Sequence, residues 1–379
     1  MNFEEHAAKP LLAKFGIAIP ESHLAFTSIE AQAAASAIGP CVVKAQVPTG
    51  KRGKAGGIKL AATPQEAFQH AEKILGMEIG GWKVSKVLIE AQTPIARELY
   101  AAILDDAASK GPMLLFSALG GMDVEEAAER DPTAMRHIAI PIDEGLTEET
   151  ARRALDGVDL SEHAGSLVDV FLKLYRAWHE LDAELIEINP LVITKDNRVV
   201  ALDCKFTLDD SAEPRQKAVA MQAAPEKRTV LEAKAAAAGL KYIELGGSVG
   251  VLANGAGLTM TTMDVIAHYG GSPSNFLEIG GEAYTKAKTA LSILLENPNI
   301  KALLVNFCGA FARTDVMAEG VINAWLELKP DIPIFFTIHG TGADEAVALV
   351  KERLGIEPFD LMDDAVKAAV AAANGRAAA

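Results

Sequence analysis

From about residue 240 onward, short apolar runs alternate with amphipathic stretches, and this rhythm restricts the fold more than any other feature of the chain. The runs are 241–245, 249–254, 274–279, 301–306 and 332–338, with helical patterns at 256–269, 283–296, 315–328 and 343–353. An apolar strand followed by a helix returns beside its predecessor through a right-handed crossover. The result is a parallel sheet covered on both faces. Roughly five such units specify a flavodoxin-like domain, here over residues 239–379.

Residues 1–238 follow another rule. Apolar runs at 41–46, 86–90, 98–104, 113–117 and 137–140 read as strands, with helical patterns at 28–38, 63–75 and 162–182 among them. The spacing is irregular and includes hairpins, so this part is α+β. The join falls in 209–240, which is polar, carries two prolines and leads into an Ala-rich helix. Asn2 with Glu5 three residues later predicts a capping box and a first helix that faces solvent. The tail AAVAAANGRAAA reads as a frayed helix end.

Charge narrows the function classes. Lys and Arg number 36 against 51 Asp and Glu, a net −15, which disfavours nucleic acid and anionic membrane surfaces as partners. No apolar stretch is long enough to span a bilayer, and the first residues do not read as a signal peptide. Cys41, Cys204 and Cys308 are too scattered for a disulfide scaffold or a zinc site, which fits a reducing cytoplasm.

Local anion sites remain possible. In VVKAQVPTGKRGKAGGIKL (42–60) a strand ending at Lys44 leads into Gly50-Lys51-Arg52-Gly53-Lys54, then a second strand. Glycines let backbone approach an anion, and the cations supply charge for phosphates. It is not a Walker A loop; it suits a lid over a nucleotide, or an ordinary basic hairpin. In AELIEINPLVITKDNRVVALDCKF (183–206) two strands flank the turn Lys195–Arg198. Centring that turn on Asp196 places Asn189 opposite Asp203 and Glu187 opposite Lys205, all on one face. An Asn carbonyl beside an Asp carboxylate is a hard-oxygen pair suited to Mg²⁺; a polar quartet on a solvent face is the alternative. Glu90 and Glu98 stand at strand ends, where an acid can hold an adenine amine or a ribose hydroxyl. A strand ends at Asn254, and Gly255-Ala256-Gly257 opens a helix whose first amides are unpaired. The loops at 276–283 and 308–315 repeat that arrangement along the same sheet edge. His339 stands at a further such turn. No HExxH, GxSxG or CxxC occurs, and no nucleophile is evident.

Together VVKAQVPTGKRGKAGG, LIEINPLVITKD, LDCK, NGAGLTMTTMD, the FLEIGG loop and LVNFCGAFARTD resemble the β subunits of succinyl-CoA synthetases, ADP- or GDP-forming acid–CoA ligases. The resemblance covers nearly the whole chain. It implies an N-terminal ATP-grasp fold of two lobes and a second domain docking on an α subunit, as αβ or α₂β₂. That subunit would bind CoA and carry the histidine that is phosphorylated, which accounts for the missing nucleophile. It further implies that Lys44, Lys51, Arg52 and Gly53 bind phosphate and that Glu90, Thr93 and Glu98 bind nucleotide. Asn189 and Asp203 would hold Mg²⁺, Glu187 would contact the partner's catalytic histidine, and Asn254 would bind substrate. Pro20 matches ATP-using members.

The chain departs from the family pattern at four places. HAGGRGKAGG begins here as Pro48-Thr49-Gly50-Lys51, and the triple glycine of FLDVGGG is Gly280-Gly281-Glu282. The acid loop GGIVRCD is Gly309-Ala310-Phe311-Ala312-Arg313-Thr314-Asp315, and RLEGTN is Thr337–Gly342. Three of the four lie in the acid-facing domain, where Ala310, Phe311 and Ala312 are candidate substrate residues. The bulk of Phe311, and His339 in place of an acid, favour an anionic substrate group. The expected activity is ATP-dependent acyl-CoA formation from a carboxylic acid, succinate or a related dicarboxylate. Malate, citrate or a sulfonate acid are the enzyme alternatives, and a non-catalytic nucleotide-binding scaffold is the other.

Overall fold

Period-two burial in the first part of the chain builds two antiparallel sheets. The structure, a computed structural model, describes residues 1–121, 131, 134–279 and 283–375. It divides into two units, Met1–Glu226 and Lys227–Ala379. The boundary expected at 238/239 thus differs from the observed one by the helix Val230–Ala237, whose Leu231 and Ala235 pack into the second unit's core.

In the first unit, helix α1 spans Glu5–Lys14, α2 Ser28–Ile38, α3 Pro64–Ile74 and α4 Ala164–Glu180. Strands β1 (Ser22–Ala25), β2 (Cys41–Ala45), β3 (Ile58–Ala61) and β6 (Val87–Ala91) form a sheet of order β1-β6-β2-β3, all antiparallel. A small hairpin, β4 (Glu78–Ile79) and β5 (Trp82–Lys83), precedes β6. Thr27 and Thr63 cap α2 and α3 by accepting from the Glu30 and Glu66 amides. These helices place Ala31, Ala35, Ala67, Ala71 and Ile74 on Val43, Ala45, Val87 and Ile89.

The second sheet holds β7 (Ile95–Asp106), β8 (Gly111–Ser117), β9 (Met135–Ala139), β10 (Ala183–Thr194) and β11 (Val199–Ala201), in the order β11-β10-β7-β8-β9. Strand β12 (Lys205–Leu208) continues beside β10. Leu167, Phe171 and Leu174 of α4 cover this sheet, with the Phe171 ring edge-on to Phe116 at 5.2 Å.

The first helix corrects one expectation. Asn2 does not cap it; Asn2 bridges Thr207 in extended pairing, and Glu4 occupies the cap position with no side-chain bond. Nor does α1 face solvent. Ala8, Leu11 and Leu12 are fully buried in the large core, and Glu5 and Lys9 go in with them.

In the second unit the strands are β13 (Tyr242–Glu244), β14 (Val249–Ala253), β15 (Asn275–Leu277), β16 (Ala302–Gly309) and β17 (Ile334–Gly340). The helices are α5 (Val230–Ala237), α6 (Ala256–His268), α7 (Ala283–Leu295), α8 (Thr314–Leu328), α9 (Ala343–Leu354) and α10 (Met362–Ala373). β14, β16 and β17 are parallel, and β15 joins β14 through parallel bridges at each end. The Asn275 side-chain amide bonds both the N–H and the C=O of Val251, replacing backbone pairing there. Leu303, Val305 and Phe307 face α7, α8 and α9, whereas Leu304 faces α6 and α10, so both sheet faces are covered. The first of the five expected strands differs: β13 runs antiparallel to β15. Only residues 245–248 join β13 to β14, too short for a crossover, so the chain reverses.

Candidate functional site

A cavity of about 590 Å³ in the first unit is lined by residues of both sheets. Lys44, Lys51, Arg52, Gly53, Glu90, Thr93, Glu187, Asn189 and Asp203 all border it. Lys44 comes from the penultimate position of β2, Glu90 from the penultimate position of β6, where it faces Val42, and the basic segment from the β2–β3 connection. That connection is a compact turn closed by Ala55 N–H to Lys51 O and Gly57 N–H to Arg52 O. The turn separates its cations. Lys51 and Lys54 are exposed, while Arg52 is turned inward and buried.

An ion cluster forms part of the cavity wall. Lys44 Nζ donates to Glu5 Oε1 at 2.9 Å, Glu90 Oε1 at 2.7 Å and Leu202 O at 2.7 Å. Lys9 Nζ donates to Glu5 Oε1 at 3.0 Å, to Glu90 Oε2, and to Leu202 O at 3.2 Å. Arg52 donates to Glu5 Oε2 at 2.7 Å and forks onto both oxygens of Asp203 at 2.8 and 2.7 Å. Three cations thus face three carboxylates, a balance that burial requires. Glu5 and Lys9 escaped the sequence reading. Their spacing is that of an exposed i,i+4 pair, and only the packing of α1 reveals otherwise. Glu90 is likewise no open acid at a strand end but is pinned by both lysines.

The charges show in the ionisation. Burial alone would raise the Glu5 carboxyl, yet Lys44, Lys9 and Arg52 hold it well below its ordinary 4.5. Burial pushes the Lys9 ammonium down to about 8, against the pull of Glu5. A carboxylate with a depressed native pKa contributes stability above its unfolded value and loses it as pH falls. The thermal midpoint should therefore drop as pH is lowered below about 4.5. The drop should be shallower in Glu5→Gln, measured by calorimetry across a pH series. Lys9 acts in the same sense at higher pH: between its native value of about 8 and its ordinary 10.5 the unfolded chain holds more protons, so its contribution too grows with rising pH.

The β10–β12 register is the one read from the turn. Leu191 faces Ala201 and Glu187 faces Lys205, which leaves Asn189 and Asp203 as the facing pair between them. The Asn189 Oδ1 accepts the Gly121 N–H at 3.0 Å, and Asp203 Oδ1 also accepts the Cys204 N–H at 2.8 Å. The donor chemistry fits Mg²⁺: one amide oxygen and one carboxylate, both hard, on facing positions at the cavity wall. Such a pair leaves most of the coordination sphere to water and phosphate. No cluster of three metal-ligating His, Cys, Asp or Glu side chains occurs among the described residues. Tyr100, buried on β7, bonds Glu187; burial first and that carboxylate second push the phenol well up.

Glu98, on β7, pairs with Val192 of β10, and its carboxylate lies against Gly121, a residue that borders the cavity; a Cβ there would come within 1.9 Å of Glu98 Oε2. Gly121 also has φ +74°, so glycine is required there.

In the second unit, the expected residues gather at the C-terminal edge of the parallel strands. Asn254 clamps Cys308: its Nδ2 donates to Cys308 O at 2.8 Å and its Oδ1 accepts Cys308 N–H at 2.7 Å. Gly255, φ +86°, starts α6 with no side-chain cap. Ala310 and Phe311 are exposed and Ala312 is half-buried; the Phe311 ring stands in solvent rather than filling a pocket. Arg313 pairs with Asp315 at 3.0 Å, and His339 is exposed beside Thr337. Gly280, Gly281 and Glu282 lie outside the described residues. Among the described residues, no helix is long and apolar enough to cross a membrane.

Comparison with known proteins agrees with this architecture. An ATP-grasp domain family matches residues 2–193 and a CoA-ligase family matches residues 252–371. The chain is 44% identical over 379 residues to a succinate–CoA ligase [ADP-forming] subunit β of Chloroflexus aurantiacus, covering 99% of this chain and 100% of that one. It is 40% identical over 379 residues to a succinate–CoA ligase [GDP-forming] subunit β of Thermus thermophilus, covering all of both chains. An ATP citrate lyase of Methanothrix soehngenii, solved with citrate and coenzyme A, shares the fold at 24% identity, with TM-score 0.74 over 94% of this chain and 95% of that chain. With an ATP-grasp half followed by a CoA-ligase half, and with full-length identity of this order, the chain belongs to the family of succinate–CoA ligase β subunits.

Proposed function

We propose that this chain is the nucleotide-binding β subunit of an ADP-forming acid–CoA ligase. The overall reaction is ATP + carboxylic acid + CoA giving acyl-CoA + ADP + phosphate, by way of a phosphohistidine on an α subunit. The acid in this reading is succinate or a related dicarboxylate, the assembly αβ or α₂β₂, and the compartment the cytoplasm. The observation that carries the reading is the convergence of Lys44, Arg52, Asn189 and Asp203 on one cavity.

Lys44 and Arg52 neutralise the triphosphate, Lys51 and Gly53 close over it, and Glu90 and Thr93 line the nucleotide's way in. Asn189 and Asp203 hold Mg²⁺, which supplies charge neutralisation across phosphate oxygens. Glu187, oriented by Tyr100, receives the partner's histidine and fixes the tautomer that accepts the phosphoryl group. Positioning and charge account for most of the acceleration in such transfers. At the second unit's edge, the uncapped amides after Gly255 hold the transferred phosphate. Asn254 ties the ends of β14 and β16 together beneath it.

A second reading, a ligase for a substituted acid such as malate, citrate or a sulfonate, is favoured by His339, exposed at that edge. Co-expression with the α subunit and an acid panel tests both. ATP- and CoA-dependent turnover highest with succinate supports the first reading and sinks the second. ADP release that no acid stimulates would sink both, leaving a nucleotide-binding scaffold.

A further inference from the structure

The ion cluster holds a redundancy that the phosphate-binding role alone does not require. Lys9 and Lys44 donate to the same three acceptors: Glu5 Oε1, the Glu90 carboxylate and Leu202 O. The two ammonium groups differ in freedom. Lys44 borders the cavity and its side chain is 8% exposed, whereas Lys9 does not border it and is 1% exposed. Lys9 projects from a helix whose neighbouring Ala8, Leu11 and Leu12 are fully buried, so it has no route outward.

We propose that Lys9 is a positioning residue of the nucleotide site: the fixed counter-ion that lets Lys44 and Arg52 leave their carboxylates for an incoming triphosphate. The proposal rests on the reading of Lys44 and Arg52 as phosphate ligands. In the nucleotide-free cluster three cations match three carboxylates. When phosphate draws Lys44 away, Glu5 Oε1 and Leu202 O keep a donor in Lys9, and the Glu90 carboxylate keeps Lys9 on its other oxygen, Oε2. When Arg52 turns from Asp203, that carboxylate becomes available to a cation, and Glu5 is still paired. Without Lys9, movement of Lys44 would strip buried Glu5 and Glu90 of their lysine partners. A buried carboxylate deprived of its partner is strongly unfavourable. Lys44 would therefore stay with them and the triphosphate would bind weakly.

Calorimetric titration of the full chain with ATP in excess magnesium tests this. Lys44→Met should lose nearly all affinity. Lys9→Met should weaken binding about tenfold or more, although Lys9 touches no nucleotide. Glu5→Gln, which loosens the hold on Lys44 and Arg52, should tighten it about threefold or more. In the double variant K9M/E5Q the charges balance again, and affinity should return to within about threefold of wild type. A purely structural role for Lys9 and Glu5 makes both single variants weaker and the double variant no better.

The outcomes separate cleanly. If Lys44→Met binds ATP like wild type, the phosphate reading itself fails and takes the proposal with it. If Lys44→Met loses binding but Lys9→Met keeps it, the proposal is overturned and the phosphate reading stands. An unrescued double variant overturns it equally. Should Met at position 9 prevent folding, Glu5→Gln decides alone: tighter binding supports the proposal, unchanged or weaker binding overturns it.

Discussion

Asp203→Ala should reduce acid-dependent ADP release on the order of 10³-fold in the complex with the α subunit. The substitution acts twice. It removes the only carboxylate of the hard-oxygen pair on the β10–β12 hairpin, so on the proposed reading magnesium would lose its charged ligand. It also removes both acceptors of the Arg52 fork, leaving Glu5 as that side chain's remaining carboxylate. Arg52 should then sit permanently with Glu5 or on phosphate, and its release after transfer should slow. Steady-state kinetics with varied magnesium separates the two effects: a raised magnesium requirement reports the lost ligand, and a lowered kcat at saturating magnesium reports Arg52. Asn189→Ala should follow the same direction with a smaller loss, because an amide oxygen carries no formal charge. His179→Ala on α4 is the control. His179 stacks on Tyr175 and Trp178 and should leave turnover unchanged. Equal losses at His179 and Asn189 would remove the magnesium assignment.

The second large effect is on the chain by itself. Purified without a partner, it should bind ATP yet form acyl-CoA on the order of 10³-fold more slowly than the complex. The reason is the chemistry of the cavity wall. Cys204 is the one thiol lining it among the described residues, and burial first and Asp203 second push that thiol well above its ordinary pKa. A buried thiol held protonated is a poor nucleophile. Lys44 is committed to carboxylates. On the proposed reading the phosphoryl acceptor comes from the partner, and Glu187 would orient it. Fast acyl-CoA formation by the isolated chain, with mass spectrometry locating phosphate on a residue of its own, would overturn this division of labour.

How far these features could be read from sequence depended on the range of the contacts behind them. The β10–β12 hairpin was legible because a four-residue polar turn between apolar strands sets its register, and register decides which side chains meet. The parallel half was legible because strand–helix alternation permits few topologies. The direction of β13 was not, since an apolar run carries no sign of direction; the short 245–248 connection held the clue. The ion cluster was half legible. Lys44 and Arg52 stood out beside glycines, but their partners Glu5 and Lys9 lie on a helix that packs across both sheets. In sequence a Glu–Lys pair four apart looks like any exposed helix pair.

Helix α1 also imposes a schedule on synthesis. Its Lys9 contacts Glu90, 81 residues downstream, and Leu202, 193 residues downstream. At about 5–20 residues per second the ribosome needs roughly 10–40 s to supply that last partner after Lys9 has been made. Until then a helix with charges on its inward face has nowhere to dock, and the same charges keep it soluble while it waits. Helix α1 is thus among the last elements to settle, and the nucleotide cavity is completed only when the β10–β12 hairpin has closed.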